Sequence, residues 1–131
     1  MGSIFIKVDT NAIRQSIKGF NFFFNKRVNE IVNRPDVKEE LIQTVAKYSD
    51  PYVPYKTGAL SKNYRVLPEG IHYMQPYAEW QYKGEHYRHP ADGPHPLAHH
   101  HWVEYAETQR YKEMSKEWKK TIIKHLVMWW K

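Results

Sequence analysis

Tyr64-Arg65-Val66-Leu67-Pro68-Glu69-Gly70-Ile71-His72-Tyr73 is the stretch that decides the fold class. Tyr64 and Val66 flank Arg65, and Ile71 and Tyr73 flank His72, so each half has the two-residue period of a half-buried strand. Pro68 and Gly70 supply turn chemistry between them. The stretch therefore predicts a hairpin in which Tyr64 and Val66 pair with Ile71 and Tyr73 across Pro68-Glu69-Gly70. Far upstream, Ile4, Ile6 and Val8 alternate with Phe5 and Lys7, which predicts one more short strand.

The remaining periodic segments read as helices. Asp9, Thr10 or Asn11 is a cap for the first. Ile13, Ile17, Phe20, Phe24, Val28 and Ile31 then step by three or four, which predicts one amphipathic helix of about five or six turns. Pro35 opens a second helix, with Asp36, Glu39 and Glu40 near its positive end and Val37, Leu41, Val45 and Tyr48 on its apolar face. Asp50-Pro51 ends it. Pro76 to Tyr82 fits a short helix stopped by Gly84. From about Leu97 the chain is helical again, with Trp102, Tyr105 and Ala106 on one face and Met114, Trp118, Ile122, Leu126 and Trp129 continuing it. Either one helix runs through Arg110-Tyr111 or two meet there. The fold class is α+β: long N-terminal and C-terminal helices packed on a small antiparallel β-sheet, one domain over residues 1–131, with a C-terminal helical segment from about 97 to 131.

Composition narrows the function classes. The 131 residues suit one modest core. There is no cysteine, so disulfides and thiolate metal sites are excluded. No apolar run approaches the roughly 20 residues of a membrane span, and Met1 to Lys7 is too short and mixed for a signal peptide. A soluble, cytoplasmically made product is expected. Aromatic residues reach 15%, enough to suggest ring-rich contacts with other chains. Residues 110–131 hold seven basic and two acidic side chains, so five of the six net positive charges sit at that end.

Three groupings invite chemistry. His86, His89, His95, His99, His100 and His101 lie close together, and His86/His89 or His95/His99 has chelate spacing. Pro90, Pro94 and Pro96 prevent one helix from presenting them, and no H-E-x-x-H pattern is present. A polar loop with incidental metal affinity is the better reading. Nucleophile and phosphate-loop motifs are absent. Carboxylate pairs such as Glu39-Glu40 read as solvated acids at a helix start. Lys112, Lys116, Lys119, Lys120 and Lys124 gather beside the apolar stripe of the last helix. They touch nucleic acid, or lie on an anionic membrane with the tryptophans, or are solvated while the Trp/Ile/Leu stripe packs on the core or a neighbour. The last is the base expectation for an amphipathic helix.

Two segments are more specific. Val53-Pro54-Tyr55-Lys56-Thr57-Gly58-Ala59-Leu60-Ser61-Lys62 precedes the hairpin; Pro76-Tyr77-Ala78-Glu79-Trp80-Gln81-Tyr82 precedes His95-Pro96-Leu97-Ala98 and Trp102. In this order they resemble the minor capsid proteins of tailed phages and prophages of Gram-positive bacteria, close to the tail-completion (head–tail joining) proteins. The resemblance spans about residues 50 to 120. It implies a structural subunit, without catalytic residues or cofactor, that joins a ring in the neck between portal and tail in about six or twelve copies. Implied partners are copies of itself and neighbouring neck and tail proteins, with packaged DNA within reach and no membrane. Pro54, Thr57, Gly58, Leu60, Tyr77, Trp80, Tyr82, Pro96, Trp102, Trp118 and Trp129 are the candidate interface and structural residues. For Tyr77, Trp80 and Tyr82, subunit interface and core stand as equal alternatives. The histidines at 99–101 and the basic, Trp-rich end depart from the pattern. A metal-dependent nucleic-acid-binding protein or nuclease, built on the histidine loop and basic helix, is the alternative.

Overall fold

The computed structural model describes residues 2–17, 25–53, 63–75, 78–83 and 101–130. The hairpin forms in the expected register. Strand β1 is Ile4–Lys7, β2 Tyr64–Leu67 and β3 Gly70–Tyr73. They form an antiparallel sheet in the order β1-β3-β2, with Ile4 and Tyr64 opposite Tyr73, and Ile6 and Val66 opposite Ile71. Period-two alternation therefore turns these six side chains to the core and leaves Phe5, Arg65 and Lys7 outside. Gly70 is required where β1 crosses it. A Cβ there would collide with the Ile6 carbonyl oxygen and lie 2.8 Å from Cζ of Phe5.

Helix α1, Thr10–Ser16, is capped by Asp9, whose carboxylate accepts from the Asn11 and Ala12 amides at 2.9 and 3.3 Å. It is much shorter than the periodicity suggests. Ile17 is extended (φ −90°, ψ 119°), and a separate helix, α2, spans Asn25–Val32. The single five- or six-turn helix is therefore corrected to two helices. The local cause is visible at Ser16, whose hydroxyl donates to the Ile13 carbonyl at 2.7 Å in competition with the backbone. Phe20 and Phe24, which the longer helix used, lie outside the described residues.

Helix α3, Pro35–Ser49, starts on its proline as expected, after an extended Arg34. Arg34 clasps Asp36 through two hydrogen bonds of 3.1 and 2.6 Å. A 3-10 turn, Asp50–Tyr52, follows. This helix is the centre of the molecule. It packs on β2 and β3 on one side and on the C-terminal helices on the other, and Val37, Leu41, Ile42 and Val45 are completely buried. Short helix α4 is Ala78–Lys83; the Glu79 amide donates to the Gly2 carbonyl at 3.0 Å and ties α4 to the start of β1.

Two helices, not one, form the C-terminal part: α5, Trp102–Gln109, and α6, Tyr111–Trp130. Arg110 breaks the helical path at φ −117°, ψ 23°. Its amide still donates to Ala106, its carbonyl accepts from Met114, and its Nε donates to the Tyr52 hydroxyl at 3.1 Å. The joint is thus a fixed corner.

Candidate assembly surface and basic groove

The candidate residues divide by depth. Trp102 is fully buried between the rings of Tyr73 and Tyr82, at centroid distances of 5.2 and 4.6 Å, both edge to face. Tyr82 is itself buried, and its carbonyl accepts from the His101 amide at 2.8 Å. Burial pushes the Tyr73 and Tyr82 phenols well above the ordinary tyrosine range. Trp118 is buried as well, and its indole N–H donates to the Leu41 carbonyl of α3 at 3.1 Å. These three side chains hold the fold together from inside. Pro54, Thr57, Gly58, Leu60, Tyr77 and Pro96 lie outside the described residues, as do the side chains of Trp80 and Trp129.

His101 is the one member of the histidine group within the described residues. It takes the left-handed conformation (φ 51°) before α5 and sets its ring 5.0 Å from that of Tyr82. The pairs with chelate spacing, His86/His89 and His95/His99, lie outside the described residues. Among the described residues no three His, Asp or Glu side chains converge on a metal-sized space.

Helix α6 has three functional sides. Met114, Trp118, Ile122 and His125 form the buried one, at helical spacing. The second faces α3 through ion pairs. Lys47 and the Tyr48 hydroxyl both donate to Oε1 of Glu117, at 2.7 and 2.8 Å. Lys124 and His125 grip Glu40 at 3.1 and 2.9 Å. Burial alone would raise the Glu40 carboxyl, but the hydrogen bonds from His125 and Lys124 outweigh it and hold the group below its ordinary value. Glu117 is held low by its hydrogen bond from Lys47, against some burial. Glu40 is therefore a cross-helix acceptor and not the solvated helix-start acid that its position in α3 suggests. Lys124 likewise does not join the other lysines on one side; it turns to α3.

The third side is a groove. Ser16 and Ile17, at the end of α1, face Tyr111, Lys112, Ser115, Lys116 and Lys119 of α6 across a cavity of about 440 Å3. The Tyr111 hydroxyl closes one end by donating to the Ser16 carbonyl at 3.2 Å, which satisfies an acceptor at the end of α1. All three lysines are exposed. Further along α6, Ile123, Val127 and Met128 stand exposed, Val127 by 49% and Met128 by 64%. The lysine spacing was legible in the sequence. The opposite wall was not, because it exists only where α1 stops. No helix among the described residues is long and apolar enough to cross a membrane.

No curated protein and no solved structure matches the chain. A family model does, over residues 4–126, and its description is minor capsid protein. That match takes in the strand β1, the central helix α3, the hairpin and α6 as far as Leu126, so the chain belongs to the minor capsid protein family of phages, structural components of the virion.

Proposed function

We propose that the chain is a tail-completion subunit of the phage head–tail junction, whose copies close into a ring between portal-side proteins and the tail of a phage of Gram-positive bacteria. Its task is to bind neighbours, and no step of chemistry is required of it. The observation that carries this reading is the exposed apolar end of α6. Ile123, Val127 and Met128 leave solvent-facing a surface that a self-sufficient fold covers. A ring of identical subunits uses heterologous contacts, in which one surface meets a different surface of the next copy, and a projecting helix end suits that arrangement. Membership of a capsid-protein family supports a partner within the virion. DNA passing through such a ring lies within reach of its lysines.

Native mass by light scattering, with immunogold labelling of purified virions, tests the reading. A closed ring, or label confined to the head–tail junction, is expected. A chain that stays monomeric and labels the capsid shell would overturn it.

A further inference from the structure

We infer that the groove between the end of α1 and the first turns of α6 binds the phosphodiester backbone of duplex DNA. Lys112, Lys116 and Lys119 line it at helical spacing, and Lys112 and Lys119 are about 10 Å apart along the axis. Among the described residues none of the three makes an ion pair, although Lys47, Lys83 and Lys124 all do. Residues 18–24, which follow Ile17 in the sequence, contain no acid. Ser115, a small side chain, lines the same groove between Lys112 and Lys116.

Placement adds a second argument. The N-terminal end of a helix carries partial positive charge, and basic side chains are disfavoured there. Lys112 occupies the first turn of α6. It stands against the dipole of its own helix, and a bound polyanion removes that cost. Aliphatic exposure on α6 begins only beyond Lys119, at Ile123, while the exposed Tyr111 ring beside the lysines turns its hydroxyl to the Ser16 carbonyl. The groove rim is thus ammonium groups and a phenol, suited to phosphate and not to the acyl boundary of a bilayer. In a virion the polyanion always present is the genome. The inference deepens the proposed function only in naming the DNA contact, and it does not depend on ring closure.

Fluorescence anisotropy of the full chain with a labelled duplex of arbitrary sequence tests it, read as affinity against salt. Three phosphate contacts give a log–log slope of about −2.7, or roughly 40-fold weaker binding between 50 and 200 mM salt. Replacing Lys112, Lys116 and Lys119 by Gln is expected to remove that slope, and replacing them by Arg to preserve it. Replacing the exposed Lys7 and Lys26 together with the half-buried Lys38 by Gln is expected to leave the slope unchanged. Equal loss from both Gln sets would overturn the inference, as would a Gln groove variant that binds like the parent, or an Arg variant that does not bind. So would anionic vesicles or polyglutamate displacing the duplex from the groove at equal charge. If the triple Gln variant melts early, single Gln variants carry the same test at about one slope unit each. The free chain is used throughout, so failure here is distinct from failure to form a ring.

Discussion

Nε2 of His125, on α6, lies 2.9 Å from Oε2 of Glu40, on α3, while the imidazole itself is almost completely buried. The pair joins the last helix to the central one near the end of their contact. Glu40 is held low, so its contribution is complete at and above the ordinary carboxylate range and is lost as pH falls through its folded value. Unfolding free energy is expected to drop on acidification with a limb that Glu40→Ala flattens. At neutral pH that substitution leaves His125 without its acceptor and costs about 1–2 kcal/mol, at the low side because Glu40 is partly solvated. Urea titrations of both proteins across the acid range measure this; parallel pH profiles would contradict it.

Trp102→Ala removes the ring that Tyr73 and Tyr82 both touch. A loss of about 3–5 kcal/mol is expected, together with collapse of the near-ultraviolet circular dichroism. A change within 1 kcal/mol, about the level of a surface substitution, would mean that the aromatic cluster is not packed as described.

Gly70→Ala is expected to be among the most damaging single changes, about 3 kcal/mol or more, because β1 must move away from β3 to admit a methyl group. Gly2 is its control. A Cβ there meets nothing within 4 Å, and Gly2→Ala should leave the melting temperature unchanged.

Asp9→Ala should cost about 1 kcal/mol by releasing the Asn11 and Ala12 amides at the start of α1. Asp9→Asn or Asp9→Ser restores most of it. Thermal melts of the three variants separate capping from a general charge effect, since only the alanine variant should fall.

Val127→Lys with Met128→Lys is expected to leave the stability of the free chain within about 0.5 kcal/mol, because both side chains stand in solvent. The same pair should prevent incorporation into virions. Normal incorporation would show that the α6 end is not the docking surface.

Local pattern made the sheet readable. Tyr64, Val66, Ile71 and Tyr73 sit in the register that alternation assigns, because the two-residue period admits only one facing. Pro35 was equally plain, since a proline at that place has one low-cost role. The long first helix failed for the opposite reason. Apolar spacing continues through Ser16 and Ile17, and nothing in a 3.6-residue period says that the backbone turns extended there. Glu40 was misread because its partners lie on α6, far along the chain, and cross-helix pairs leave no local signature. Trp102 and Trp118 were legible as important but not as internal, since aromatic residues serve cores and interfaces alike.

The place of β3 between β1 and β2 sets an order of events for the nascent chain. Ile4 finds its partner only when Tyr73 has left the ribosome, and the Gly2 carbonyl waits longer still, for the Glu79 amide. Helix α3 is made before the hairpin and can meet β1 only loosely until then. The earliest strand to be synthesised is therefore the latest to lock, a high-contact-order closure that is intrinsically slow. During that interval Ile4, Ile6 and Val8 remain uncovered, and it is then, more than in the finished particle, that the chain is open to self-association of the wrong kind.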